Sequence, residues 1–231
     1  MWSREVDGLT LTFRLAGINN QNFLMRDDQT GTYWQQISGL GISGPLKGKQ
    51  LAFIHSDELN FATWRAEEPR GTVMQDVPDD APSYSGKNWD ERMASRPVVI
   101  SLAENGIGDR DLMLGIRAFG ASRAFPYRVV LSEKLVQDRV GSEPILLLTA
   151  SDGASVRAFR NPDAGDFYRL NPPKPGDVVM MDSATGSEWN FKGCAVAGKR
   201  QGTCLEPVPM LKDYWFDWKN YNPQTTVYRK P

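Results

Sequence analysis

The feature that most constrains the fold is a phrase that returns. Residues 28–34 read DQTGTYW and residues 182–189 read DSATGSEW. Asp28, Gly39, Gly44, Gly48 and Leu51 meet Asp182, Gly193, Gly198, Gly202 and Leu205, each 154 positions on, as 182 is from 28. Trp64, Pro69, Thr72 and Val73 meet Trp218, Pro223, Thr226 and Val227 at the same spacing. Only the turn between slips by one, where Thr30, Gly31 and Trp34 meet Thr185, Gly186 and Trp189. Chance does not hold glycine, tryptophan and proline in one register over so long a stretch, so the expectation is an internal duplication. Its first copy covers 1–75, a connecting segment 76–110, and a second, more complete copy 111–231.

Each copy has a physical reading. The Asp-x-(x)-Thr-Gly phrase is turn chemistry: the carboxylate accepts from amides just ahead, and Gly takes the positive φ. A strand before it (Phe23-Leu24-Met25, or 178–181) and a buried Trp after it make a hairpin. Three glycines then punctuate a second hairpin. A short aromatic helix follows, at 60–65 or 214–218, ended by Pro69 or Pro223. A last strand, Thr72-Val73-Met74 or Thr226-Val227-Tyr228, closes the unit.

The rest of the chain also favours strands. With 21 Gly and 15 Pro, few segments can hold a long helix. Leu9 to Phe13 alternates as a half-buried strand does, and Leu112 to Ala118 does so less cleanly. The runs 98–100, 145–148 and 178–181 are short, apolar and fenced by Pro, Gly or Asp. The fold expected is mainly β, in two related halves, each of hairpins plus one short aromatic helix.

Charge is balanced, with 27 basic and 28 acidic residues and no long run of either sign. That pattern argues against a nucleic-acid partner, which calls for a basic face. No run approaches the roughly 18 apolar residues of a membrane span. Met1-Trp2-Ser3-Arg4-Glu5 shows no secretory signal, so the chain reads either as a cytoplasmic start or as one beginning after a removed segment.

The copies are unequal. Asp152-Gly153 with Phe159 resembles Asp7-Gly8 with Phe13, and nothing ahead of Asp7 corresponds to residues 111–149. A β unit lacking its first strands exposes an edge, which native proteins pair or cover. Either another protein chain covers the open edge of the first copy, or this sequence is a truncated version of a longer parent.

Several blocks carry a family resemblance: Arg123-Ala124-Phe125-Pro126, Asp138 to Pro144, the Asp28 turn, Ser43-Gly44-Pro45-Leu46-Lys47-Gly48, and Trp64-Arg65-Ala66 with Pro69. In these the chain resembles a prokaryotic family described as domain of unknown function 3179. The resemblance covers most of the chain and implies no established activity. Members commonly carry two close cysteines ahead of the stretch matching Asp7-Gly8, a segment this sequence does not show.

Candidate sites are few. Gly39 to Gly44 spells G-x-G-x-x-G, but Pro45 and Gly48 follow at once, so no helix begins and the dinucleotide reading is rejected. His55, the single histidine, stands beside Ser56, Asp57 and Glu58, which read as capping groups at the start of a helix. Asp28, Thr30 and Trp34, with Asp182, Thr185 and Trp189, offer a carboxylate, a hydroxyl and an indole for ligand binding in two equivalent clefts. The same residues read more simply as buttressed turns with core tryptophans. Arg123 is a candidate for an acidic ligand or for a salt bridge to Asp138.

A hairpin turning near 199–200 sets Cys194 opposite Cys204, where Cβ atoms come within roughly 4.5–5.5 Å, near what a disulfide needs. The alternative is two unrelated buried thiols. A disulfide implies an oxidising, periplasmic or extracellular setting. Two cysteines and one histidine do not fill a zinc shell, so no metal site is expected, nor any cofactor. No catalytic residue is assigned. The function expected is a non-catalytic structural or interaction module of a larger extracytoplasmic assembly. The alternative is a ligand-binding protein or enzyme using the Asp-Thr-Trp clefts.

Overall fold

A computed structural model describes residues 1–19, 22–161, 163 and 165–230. In chain order the strands begin with β1 (Glu5–Val6), β2 (Leu9–Thr10), β3 (Phe13–Asn19), β4 (Asn22–Asp27), β5 (Tyr33–Gln35) and β6 (Gly41–Ser43). Helix α1 (Phe61–Glu67), a 3-10 turn at Pro78–Ser83 and helix α2 (Trp89–Ala94) follow. Then come β7 (Leu112–Ala118), β8 (Ala121–Pro126), α3 (Tyr127–Glu133), β9 (Leu135–Val140), β10 (Glu143–Thr149), β11 (Val156–Arg160) and β12 (Phe167–Lys174). The chain ends with β13 (Val178–Asp182), β14 (Glu188–Asn190), β15 (Ala195–Ala197), β16 (Leu211–Tyr214), α4 (Trp215–Tyr221) and β17 (Thr226–Val227). The protein is mainly β, as its turn-rich, alternating sequence requires.

Two compact units result. The first comprises Met1–Ser56, Val98–Asp109 and Asp213–Thr225; the second comprises Asp57–Pro97, Arg110–Lys212 and the segment from Thr226 on. These units do not follow the sequence copies, because the helices are exchanged. Helix α1 follows the first set of hairpins but belongs to the second unit, and α4 follows the second set but belongs to the first.

In the first unit the sheet runs β3-β4-β5-β6, over a core of Leu11, Trp34 and Leu51 against which Trp2, Phe13, Met25 and Leu46 pack. In the second unit, sheet β12-β13-β14-β15 has the same meander order, and β11-β10-β9 forms a further sheet. Strand β10 explains the apolar run at 145–148. Ile145 and Leu147 belong to one core cluster, with Ile116, Phe125, Val130 and Val136. Leu146 and Leu148 belong to another, with Phe167, Val179, Trp189 and Phe191. A strand buried on both faces shows no alternation.

Several expectations are corrected. Residues 72–74 and 98–100 are not strands. By contrast Thr226 and Val227 pair in parallel with Arg123 and Ala124 of β8. A short apolar run becomes a strand only where a sheet edge awaits it. The alternating stretch 9–13 is broken at Leu11, which is fully buried in the core. Helix α3, which packs Val130 under β7 to β10, had no clear periodicity to announce it. The aromatics of 214–218 are largely core: Trp215 is 0% and Trp218 3% exposed. Helix α1 buries no residue. Its N-cap is Asn60, whose side chain accepts from Ala62 N. Ser56, Asp57 and Glu58 instead bond to the N-terminal amine, Arg157 and Lys212.

Candidate functional site

The two repeated turns are built alike. After β4, the Asp27 carboxylate accepts from Thr30 N (2.5 Å), Thr30 Oγ1 (2.9 Å), Thr32 N (3.1 Å) and Trp34 Nε1 (2.8 Å). After β13, Asp182 accepts from Thr185 N (2.7 Å), Thr185 Oγ1 (2.9 Å) and Trp189 Nε1 (2.9 Å). The backbone closes each turn identically, with Gly31 N donating to Asp27 O and Gly186 N to Asp182 O, both at 3.1 Å. Thr30 Oγ1 meets Thr32 Oγ1 at 2.7 Å, and Thr185 Oγ1 meets Ser187 Oγ at 2.7 Å. Those second hydroxyls reach the neighbouring hairpin, accepting from Leu46 N and Arg200 N at 3.0 Å.

The glycine facing each hydroxyl is obligatory. A Cβ on Gly44 would lie 2.7 Å from Thr32 Cα, and one on Gly198 would lie 2.6 Å from Ser187 Cα, at φ of +108° and +90°.

These geometries settle which aspartate matches Asp182. It is Asp27, not Asp28: both Asp27–Trp34 and Asp182–Trp189 span seven positions. Asp28 points outward and pairs with Arg14 at 2.8 Å. The one-residue slip therefore falls after the tryptophan, where Gly39 N donates to Gln35 O but Gly193 N donates to Asn190 O. Two adjacent aspartates are interchangeable by turn chemistry alone; burial and the bond from the tryptophan seven positions on separate them. The upstream likeness shifts too. Phe13 packs edge-on to Trp34 as Phe167 does to Trp189, and the bridge Trp2↔Phe53 has its parallel in Phe159↔Pro207.

Electrostatically, the turns are saturated. Burial acts to raise the Asp27 pKa, but bonds from Trp34, Thr30 and Thr32 outweigh it and hold the carboxyl below its ordinary value. For Asp182 burial is likewise outweighed by bonds from Trp189 and Thr185, with help from the Arg200 charge. Both stay ionised at neutral pH with their lone pairs directed at the protein's own donors. Trp34 and Trp189 are 0% and 1% exposed. Thr30 and Thr185 are spent within the same turns.

Arg123 donates from Nε to Asp138 Oδ2 at 2.5 Å and from Nη1 to Thr226 Oγ1 at 3.1 Å, tying β8 to β9 and β17. Cys194 and Cys204 form a disulfide, with an S–S distance of 2.03 Å. Gly39 to Gly44 runs into β6 and a turn, with no helix after it. Among the described residues no group of three or more His, Cys, Asp or Glu side chains is placed to hold a metal ion. A cleft of about 380 Å³ beside the second hairpin is lined by Arg160, Trp189, Arg200, Thr203, Cys204 and their neighbours Leu205 and Glu206.

Sequence reasoning missed two polar clusters. In the first unit Asn22 Nδ2 donates to Asp217 Oδ2 at 2.8 Å, and burial together with the Asp217 charge pushes Asp213 up to about 8. The i, i+4 spacing of Asp213 and Asp217 was the available signal. In the second unit Arg157 makes a two-pronged pair with Glu67 at 2.8 Å, donates to Asp57 and lies 4.6 Å over the Phe191 ring. It fastens α1 to β11, and no local pattern announces a pair so distant in sequence.

Residues 1–225 match the profile of a family described as a protein of unknown function, DUF3179. The chain belongs to this family. That agrees with the resemblance carried by the Arg123-Ala124-Phe125-Pro126 and Asp-Thr-Gly blocks. No curated protein and no solved structure matches this DUF3179 chain. Among the described residues no helix is long and apolar enough to cross a membrane.

Proposed function

We propose that this protein is a non-catalytic interaction module, built from a duplicated hairpin unit, that receives another protein chain on the exposed edge of its first unit. The observation that carries the reading is the contrast between two edge strands. Strand β3 and its partner β4 pair Leu15 with Met25 and Ile18 with Phe23, and a bulge between Leu15 and Gly17 keeps these pairs on one face. Beyond the Trp34 core this face is bare: Leu15 is 67%, Ile18 71% and Phe23 53% exposed. The corresponding edge strand β12 is blunted by Pro172 and Pro173, which cannot donate to an added strand. Strand β3 carries no proline, so strand addition there with burial of Leu15, Ile18 and Phe23 is its natural use.

The saturated Asp27 and Asp182 turns fit a scaffold role, since neither carboxylate keeps a face for substrate. The disulfide fits an oxidising, periplasmic or extracellular setting. A ligand-binding alternative is favoured only by the cleft beside Trp189, which lies next to the turn and not on its carboxylate.

The test is the pair Leu15→Lys and Ile18→Lys in the natively expressed protein. Both side chains are exposed, so thermal unfolding of the isolated chain should not change. Co-sedimentation with the partner chain should be lost. Unchanged co-sedimentation would refute the assignment of this edge.

A further inference from the structure

The disulfide has an internal control. In the second unit Cys194 and Cys204 face each other in a non-hydrogen-bonded pair, framed by Ala195 N donating to Thr203 O and Leu205 N donating to Gly193 O, both 2.8 Å. In the first unit Leu40 and Gln50 face each other in the same way, framed by Gly41 N to Lys49 O at 2.9 Å and Leu51 N to Gly39 O at 3.0 Å. The tip bonds agree as well, Gly202 N to Ala195 O and Gly48 N to Gly41 O. Each hairpin packs against a buried tryptophan and receives the same threonine or serine hydroxyl. The ladder therefore closes without a covalent link when Leu and Gln occupy the paired positions.

The bond is also reachable. Cys204 is exposed and Cys194 half-buried. Cys204 belongs to the wall of the 380 Å³ cleft, whose floor is Trp189 and Leu205 and whose arginines are charge-balanced: Arg160 by Glu143 and Glu206, Arg200 by Asp163. A disulfide that holds up the core sits among buried side chains; this one has an exposed cysteine on the cleft wall, where an incoming thiol can reach it.

We propose that Cys194–Cys204 is a thiol–disulfide exchange site whose substrate is a protein dithiol. One thiolate of the dithiol attacks Cys204 Sγ from the cleft, forming a mixed disulfide, and Cys194 leaves as a thiolate that takes a proton from water. The second thiolate of the dithiol then attacks its own mixed-disulfide sulfur, releasing Cys204. The partner dithiol ends as a disulfide, and this chain ends with two thiols and its hairpin intact. The site does not depend on the β3 edge, so the two proposals stand or fall separately.

Dithiothreitol titration of the folded protein, with thiols counted by alkylation and mass, is the direct test. Two thiols per chain should appear while the thermal transition stays cooperative. A single-cysteine peptide should form its mixed disulfide on Cys204, as mapped by digestion. Cys194→Leu with Cys204→Gln, which copies the first hairpin, should fold and unfold cooperatively, as should Cys194→Ser with Cys204→Ser. Thiols that appear only as the fold is lost, adducts on Cys194, or failure of both double variants to fold would each overturn the proposal.

Discussion

Asp27→Asn separates a buttressed turn from a binding carboxylate. The wild-type carboxylate accepts two amides, a hydroxyl and an indole N–H, and Asp27 is 1% exposed. An asparagine keeps one acceptor oxygen. If that oxygen serves Trp34 and Thr32, the new NH₂ opposes Thr30 N and orphans it. The Thr30 hydroxyl can turn to Thr32 Oγ1 at 2.7 Å, so it is not stranded. One buried unsatisfied donor costs about 1–3 kcal/mol, and the lost charge weakens the remaining bonds, giving about 2–4 kcal/mol in all. Asp28→Asn, which removes only an exposed pair with Arg14, should have little effect. The assay is urea unfolding followed by tryptophan fluorescence, with slopes compared to confirm that stability alone has moved. The pH dependence has a definite sign. Because the folded Asp27 pKa is lowered, its stabilisation is present above the ordinary carboxylate range and is lost as pH falls through the folded value. The gap between wild type and Asp27→Asn should therefore narrow in acid. A larger loss from Asp28→Asn than from Asp27→Asn would refute the reasoning.

Three further outcomes are expected. Asp213 is held protonated by burial and the Asp217 charge, so the pair's stabilisation is full below about pH 4 and declines as pH rises towards about 8. The slope approaches about 1.4 kcal/mol per pH unit, and Asp213→Asn should flatten it in unfolding free energies measured across that window. Gly198→Ala sets a Cβ 2.6 Å from Ser187 Cα at φ +90° and should cost at least about 1–3 kcal/mol. Gly202→Ala, where a Cβ meets nothing, should cost less in the same melt. Arg157→Met leaves Glu67 and Asp57 facing each other in a partly buried site and should cost about 3 kcal/mol. Hydrogen exchange should then show faster amides at 61–67, and Arg157→Lys should restore only part of the protection, since it lacks the two-pronged donor.

Much of this was legible in the sequence, and the failures have physical causes. Turns that need Gly and a carboxylate announce themselves, as do the apolar strands at 145–148 and 178–181. The run at 145–148 gave its burial but not its two-faced packing. The choice between Asp27 and Asp28 was legible only in the spacing to the tryptophan, seven positions in both turns, because local turn chemistry suits either residue. Exposure of the 214–218 aromatics could not be read locally, since it depends on which unit the helix enters. The strands expected at 72–74 and 98–100 failed for want of a sheet edge, a fact held by the rest of the chain. The disulfide was legible as a geometric option once the hairpin was placed, and its noncovalent twin at Leu40 and Gln50 emerged only from the backbone bonds.

The central claim is that this chain works by receiving another on its β3 edge. Sedimentation of the untagged protein drawn from its source, with every chain in the particle identified by its peptides, tests it most directly. A particle holding a second kind of chain, lost on Ile18→Lys, is the predicted result. A particle holding one copy of one chain would contradict the account.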